Sequence, residues 1–530
     1  MFSSTPLSAA AGGCSRIESI SSALRLCQPR QRGILFDLAW ASMPWRKPPH
    51  SSRHEGAVLH EPRARRVSWP LARAAREHRR SQMRSATVAS RLIGRSLRPL
   101  VVQRGCSRAR STAAAAAPDA EASIFLGAQG AYTIDPRYYY PKVDDLPARM
   151  PVYRLMDDDG VPLPGAVLPE LDRETCVKMM HTMIRVSEFD KVFNDAQRQG
   201  RLSFYFTNRG EEAVAVGSAA ALRDNDWFWP QYRELGFTFW RGFTFEEAAN
   251  QCCHNELDPT KGRQLPMHIG SPEKHLMYVK SNLGQQVPHS VGAAYAMRLR
   301  RTNQCAITYF GEGCASEGDI PSALNIAAVL GSPTIFVCRN NGYAISTHAN
   351  DQYASDGVAP RGIAFGMPTI RVDGNDIMAM FLATQQARQI AIEQNRPVMI
   401  EAMTYRIGPH STSDDDSKYR VSESPVDGFA TERDYWEARS PIIRFGAYLK
   451  EKGWWSAAEE DELRPKSRKH AIKSLNDAAK LPNPNLLHLF TDVYDELPWM
   501  LKEQQAELKD HLMRYGEHYP EIPVEQVEGL

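Results

Sequence analysis

The 530-residue sequence lacks several features that would fix its class at once. No apolar run approaches the roughly 20 residues that a membrane span needs, so no membrane span is expected. The nine cysteines include no CxxC pair. Cys14, Cys27 and Cys106 lie near the amino end, and Cys252 and Cys253 are adjacent, which suits a simple bridge poorly. Buried free thiols in a reducing compartment are expected, and nothing points to zinc. Acidic residues are scarce at one end. Residues 1–110 hold 20 arginines and one lysine against five acidic residues, a surplus of 16 in a chain whose net charge is only +2. The remainder is therefore about −14, and an acidic body argues against a nucleic-acid partner. No internal repeat is visible.

What is there begins with that basic leader. From Met83 to Ala117 the sequence is rich in Arg, Ser and Ala and has no acidic residue. Val88, Leu92, Ile93 and Leu97 recur at near-helical spacing, and Arg84, Arg91, Arg95 and Arg98 fall largely on another face. A cationic amphipathic helix of this kind suits import into the mitochondrial matrix, with Met83 as a possible true start. Four segments are expected: a mostly disordered targeting leader over 1–112, a linker and extended arm over 113–170, an α/β domain over 171–430, and a helical region over 431–530.

Within the α/β segment, Cys176, Met179, Met180 and Met183 form a helical stripe that reads as core. Glu211 and Glu212 suit the first turn of an Ala-rich helix after a turn at Gly210. Gln304–Phe310 is a short apolar strand, broken by Gly311. Ser316 sits like a cap before the apolar-periodic run Ile320–Leu330, which Gly331 and Pro333 end. Thr334–Cys338 is a second buried strand, closed by Arg339, Asn340, Asn341 and Gly342. Strand, helix and strand at this length make a βαβ unit, hence a parallel sheet. Ile370–Val372 and Val398–Tyr405 add strands, giving an open α/β sheet with ligands beyond its carboxyl edge.

Glu312 lies just past the first strand and Asn341 just past the second. A carboxylate and an amide oxygen are hard ligands; with a backbone carbonyl and diphosphate oxygens they complete a magnesium shell. Gly311 and Gly313 let the backbone approach a diphosphate, and the following helix turns its positive end toward the anion. The loop is neither GxGxxG nor GxxxxGK[ST], so NAD and P-loop readings lose their support. A Gly-Glu-Gly, then a helix, a strand and Asn-Asn about thirty residues on, resembles the thiamine diphosphate motif. The usual form has Asp where Glu312 stands.

The flanks sharpen that likeness. RQGRLSFY, GEEAVAVGSAAAL, QYRELG, YFGEGCASEGD, CRNNGYAIST, IRVDGND, EAMTYRIG, HSTSDDDSKYR, GWW and PNPNLL follow in order. Over roughly residues 150–520 the chain resembles the alpha subunits of the branched-chain 2-oxoacid (3-methyl-2-oxobutanoate) dehydrogenase decarboxylase component, a thiamine diphosphate-dependent family. The resemblance implies a thiamine diphosphate-binding fold, here its diphosphate-binding module. It implies magnesium ligands at Glu312, Asn341 and the backbone oxygen of Tyr343. Diphosphate contacts would come from Tyr232, Arg233, Gly313, Cys314, Arg339 and His410, and Ser281 and Leu283 would hold the cofactor's middle. Tyr232 and Leu283 are also candidates for an apolar wall against a branched substrate. His410 would act as an acid or hydrogen-bond donor, and Ser411 matches a site of inhibitory phosphorylation.

The same resemblance implies oxidative decarboxylation of branched-chain 2-oxoacids and acyl transfer to a lipoyl-bearing acyltransferase component, in branched-chain amino-acid catabolism. It also implies a beta subunit in an alpha2beta2 heterotetramer, and a regulatory kinase and phosphatase. No second α/β module is visible, so the carboxylate that polarises the cofactor's ring is expected from the beta subunit. Two departures stand out. Pro409 precedes His410 where the family shows a second His. In VKSNLGQQ, from Val279 to Gln286, Lys280 replaces a serine of the stretch that binds potassium, so either the lysine ammonium stands where that ion would sit or Lys280 points to solvent and the ion is lost. The alternatives are an alpha subunit acting on pyruvate or another 2-oxoacid, and a noncatalytic scaffold of the same fold.

Overall fold

Residues 149–420 and 428–530 are described by the computed structural model. The basic leader, the Met83 start, three of the cysteines and residues 113–148 of the arm lie outside the described residues.

Asp172 accepts a hydrogen bond from the Thr175 amide at 2.7 Å and so caps the first helix, α1, Arg173–Arg198. Its stripe of Cys176, Met179, Met180 and Met183 is fully buried, as the spacing predicts. Next come α2, Glu212–Ala220, and β1, Trp227–Trp229. Then follow α3, Gln286–Arg300, β2, Ala306–Gly311, α4, Asp319–Leu330, and β3, Thr334–Asn340. A two-stranded ribbon of β4, Tyr343–Ala344, and β5, Thr347–His348, precedes β6, Thr369–Asp373, α5, Ile377–Gln394, and β7, Val398–Met403. The chain closes with α6, Pro441–Glu451, α7, Ala457–Ala478, and α8, Trp499–Tyr515, among shorter turns.

Five strands form one sheet in the order β1-β2-β3-β7-β6, with every neighbouring pair parallel. This is the expected open parallel sheet. Its strands β2, β3 and β7 are almost wholly buried, which is why they read as continuous apolar runs. The register runs from Ala306↔Thr334 to Gly311↔Arg339, so the carboxyl ends of β2 and β3 finish side by side. The edge strand β1 was not expected. Three residues, Trp-Phe-Trp, are too few to show a period, and pairing with β2 alone makes them a strand.

One local expectation fails. Ser316 does not cap the helix after β2. A 3-10 turn over Cys314–Ser316 and an extended Glu317 intervene, and α4 starts at Asp319 behind an uncapped Gly318. The Ser316 hydroxyl instead accepts from Gln352 Nε2 at 3.0 Å. The positive end of α4 is thus set several residues away from Glu312. The far end of α4 behaves as expected: Gly331, at φ +59°, closes it, and Pro333 follows.

The segment entering α1 is tied to the sheet. Tyr153 bridges Val372 in parallel, and the Leu155 and Met156 amides donate to Asp376 Oδ2 at 2.7 and 2.8 Å. The other oxygen of Asp376 caps α5. At the carboxyl side, Phe445, Leu449, Ala471, Leu475 and Ala478 of α6 and α7 join the core that holds Met179, Met183 and Phe189. Leu501, Leu508, Leu512 and Tyr515 fall on one helix face by their spacing in the sequence, and in the structure that face is narrower than the spacing predicts. Leu512 of α8 is buried and Leu501 and Leu508 are half-buried, but Tyr515 is 48% exposed. The six described cysteines are free thiols, five of them buried. Among the described residues no helix is long and apolar enough to cross a membrane.

Candidate active site

The site grows from the carboxyl ends of β2 and β3. Glu312 follows β2 and is 1% exposed. Its Oε2 accepts from the Asn341 amide at 3.3 Å, while its Oε1 is buried without any hydrogen-bond partner. Burial pushes the Glu312 carboxyl up to about 7, and the neighbouring Glu211 carboxylate adds to the shift. A buried carboxylate with an idle oxygen is costly unless a cation completes it. Asn341 lies within reach of the same loop, and its Oδ1 accepts only from the Tyr343 amide, at 3.2 Å. This donor set fits a small, hard divalent cation. Gly313 is required for a local reason: a Cβ there would lie 2.6 Å from the Ala344 side chain, so β4 can close over the loop only against glycine.

A continuous chain of polar contacts leads from this loop to His410. Asn341 Nδ2 donates to Glu211 Oε1 at 2.8 Å, and Glu211 Oε2 accepts from Arg339. Arg339 Nε lies 2.6 Å from Glu234 Oε1, and Glu234 Oε2 accepts from the Gln231 and Tyr232 amides at 2.9 Å. Tyr232 Oη lies 3.3 Å from His410 Nε2, and the Arg233 guanidinium donates to the carbonyls of Thr207 and His410. The ring of Phe206 stacks on Tyr232 with centroids 4.3 Å apart. Arg339 is thus a buried cation held between two buried carboxylates, so the three groups together carry one negative charge.

His410 is a neutral imidazole here. Burial first, and then Arg233 and Arg406, lower its pKa to about 3. Such a ring can donate one hydrogen bond, but it holds no second proton to give near neutral pH. Its loop is fastened from below. The His410 amide donates to Asp414 Oδ2 at 2.7 Å, Tyr419 Oη donates to the same oxygen at 2.5 Å, and Arg406 donates to Tyr419 Oη at 3.0 Å. Ser411, next to His410, is half-buried.

Glu312, Asn341, Arg339, Tyr232, Arg233 and His410 are therefore brought together, with Cys314 buried in the turn after Gly313 and Tyr343 half-buried on β4. Ser281 and Leu283 stand apart from that chain of bonds. Ser281 Oγ is 2.9 Å from His268 Nε2, and Leu283 is 42% exposed. Lys280 is half-buried and makes no ion pair among the described residues, while Gln286 Nε2 donates to the Tyr309 carbonyl at 2.8 Å. The contributions of Glu211 and Glu234 were not legible as such. Their only signal was acidic residues inside GEEA and QYRELG, with nothing to say which arginine they face. Gly210 brings Glu211 in: at φ +93° it passes so close to the Tyr405 carbonyl that any Cβ would overlap it.

A second buried glutamate lies at the same edge of the sheet. Glu401 of β7 accepts from Asn340 Nδ2 at 2.8 Å, from the amides of Val358 and Ala359 at 2.7 and 3.0 Å, and from Arg371 Nε at 2.9 Å. Asn340 thereby turns away from its neighbour Asn341.

The model of the dehydrogenase E1 component family matches residues 178–486. The 2-oxoisovalerate dehydrogenase subunit alpha, mitochondrial, of Dictyostelium discoideum is 48% identical over 381 residues, covering 72% of this chain and 85% of that protein. The alpha 2 subunit of the same name from Arabidopsis thaliana is 45% identical, over 71% of this chain and 78% of its own. The Homo sapiens protein is 46% identical over 70% and 82%. The chain belongs to the dehydrogenase E1 component family.

Proposed function

We propose that this chain is the alpha subunit of the decarboxylase component of a mitochondrial branched-chain 2-oxoacid dehydrogenase, and that it anchors the diphosphate end of thiamine diphosphate through magnesium. The family brings thiamine diphosphate, and the relatives are named as mitochondrial 2-oxoisovalerate dehydrogenase alpha subunits. The observation that carries the magnesium reading is the idle, buried Oε1 of Glu312 beside the Asn341 amide.

When bound, thiamine diphosphate supplies a nucleophilic carbon and an electron sink for loss of carbon dioxide. The residues of this chain bind and orient. Glu312, Asn341 and the Tyr343 carbonyl would hold magnesium. Tyr232, Arg233, Gly313, Cys314, Arg339 and His410 would meet the diphosphate, and Ser281 and Leu283 the middle of the cofactor. Arg339 is already neutralised by Glu211 and Glu234, so the ion and Arg233 must supply most of the positive charge. His410 serves as a neutral donor toward charge developing on the substrate. The exposed Leu283 needs a cover before it can form a wall with Tyr232, and the beta subunit of the alpha2beta2 assembly is the candidate.

The finer readings follow from the sequence. The acyl group passes to a lipoyl-bearing acyltransferase component. A kinase and phosphatase act at Ser411, where added charge beside Asp414, Asp415 and Asp416 disorders the loop; unchanged activity in Ser411→Glu counts against this. Lys280 replaces potassium, and potassium-dependent activity of the complex sinks that idea. The four segments, 1–112, 113–170, 171–430 and 431–530, are retained as leader, arm, cofactor domain and helical region. The deciding experiment is co-expression with a beta subunit and a decarboxylation assay. Faster turnover of 3-methyl-2-oxobutanoate than of pyruvate is expected. Preference for pyruvate favours the sister alpha subunit, and failure to bind thiamine diphosphate favours a scaffold.

A further inference from the structure

Glu211 lies just ahead of α2, 1% exposed, and its two oxygens serve two different parts of the site. Oε1 accepts from Asn341 Nδ2 at 2.8 Å, and Oε2 accepts from Arg339. On its other side the Asn341 amide accepts from the Tyr343 N–H at 3.2 Å. Turning that amide over would set its oxygen against the Glu211 carboxylate and its NH2 against the Tyr343 N–H. Both contacts would then be between like groups. A hard divalent cation takes the amide oxygen and not the NH2 as a ligand, so this orientation decides whether Asn341 can serve.

We propose that Glu211 is a positioning residue that locks the Asn341 side chain with its oxygen presented to a divalent cation, and that the same carboxylate ties this lock to Arg339. The proposal rests on the magnesium reading of the site given above. Glu211 is suited to the task because it is made rigid from both sides: its own amide donates to the Asn208 carbonyl at 3.1 Å, and Gly210 packs against Tyr405 and Ile407 just after β7. Its second oxygen pairs with the Arg339 guanidinium, so the carboxylate has a cation directly behind it. A charged acceptor holds an amide NH2 more firmly than a neutral one. The adjacent Glu212 is a matched control. It is equally buried, but its Oε2 accepts from the Gly210 amide at 2.9 Å rather than from Asn341 or Arg339.

The test uses the full chain assembled with its beta subunit. Binding of Mn2+ in the presence of thiamine diphosphate is read from the free-ion signal in electron paramagnetic resonance. Glu211→Gln is expected to weaken Mn2+ binding by roughly 10- to 100-fold, the usual cost of removing a partner behind a metal ligand. Glu212→Gln is expected to stay within about two-fold, as for a group without a partner in the site. Combining Glu211→Gln with Asn341→Asp exchanges donor and acceptor across the same contact and leaves an oxygen on either face of residue 341. The double variant is therefore expected to bind Mn2+ at least about five-fold more tightly than Glu211→Gln alone, a coupling that a merely structural role would not produce. Unchanged affinity in Glu211→Gln, or a double variant no tighter than the single one, overturns the proposal and leaves the magnesium reading standing. Absence of Mn2+ binding in the unsubstituted complex overturns both. Should Glu211→Gln not assemble, Glu211→Asp replaces it: one methylene shorter, it reaches only one partner, and wild-type affinity there overturns the lock.

Discussion

Glu312 and Glu401 are buried at the same edge of one sheet, yet they are finished in opposite ways. Glu401 has four donors, one of them the Arg371 guanidinium, and needs nothing more from outside. Glu312 has one weak donor, an oxygen without a partner, and a carboxyl pushed up to about 7. The first is a structural tie between β7, β3, β6 and the segment before β6. The second keeps an oxygen free for a further partner, which the proposed function assigns to a cation. Burial alone therefore says little about role; the count of satisfied lone pairs separates the two.

That contrast can be broken in four ways, taken from the largest effect to the smallest. Glu401→Gln strands part of a buried guanidinium pair and should cost about 3–5 kcal/mol of stability, read by chemical denaturation. A loss below about 1 kcal/mol would make the Glu401 cluster as dispensable as an exposed pair. Glu312→Gln should behave in the reverse manner. Without metal its stability should hold or rise, because an idle buried carboxylate is gone, while affinity for thiamine diphosphate with magnesium falls roughly 100-fold, about 2.7 kcal/mol. Calorimetric titration of the assembled complex checks this, and equal affinity would remove Glu312 from the metal site.

Gly313→Ala should cost roughly 1–3 kcal/mol in thermal denaturation, since its Cβ meets Ala344 at 2.6 Å. A neutral effect would show that β4 is free to move off the loop. The smallest effect is the release of up to one proton. Without a cation, Glu312 keeps its proton up to about 7, above its ordinary 4.5. Its contribution to stability is then full below about 4.5 and is lost as pH rises through about 7. Magnesium binding displaces that proton, so its release should be largest between pH 5 and 6 and fade above about 8. Calorimetry in buffers of different ionisation heat measures it; release that does not vary with pH would mean Glu312 is already ionised without metal.

Much of the sheet was legible because it is buried on both faces. Continuous apolar runs marked β2, β3, β6 and β7 to within a few residues, and the break at Gly311 marked where the site begins. Helix starts were less legible. Ser316 looked like a cap because capping residues are frequent there, but a 3-10 turn cost one helical turn and moved the start to Asp319. The strand β1 carried no signal, since three residues have no period. Tyr515 read as part of an apolar face because spacing records where a side chain points, not whether anything covers it.

The sequence by itself determined the α/β class and the position of the loop at Gly311–Gly313, and it singled out Glu312 and Asn341 as candidate ligands. Those follow from local properties: apolar period, glycine breaks and donor chemistry. Only the tertiary structure decided which charges cancel. Arg339 is 128 positions from Glu211 in sequence, and no spacing rule pairs them, yet the fold buries both at one point. Likewise only the fold decided that Glu401 is satisfied and Glu312 is not, because partners come from three separate segments in one case and nearly none in the other. Pairing of distant polar groups is set by packing, and packing is what a linear pattern does not contain.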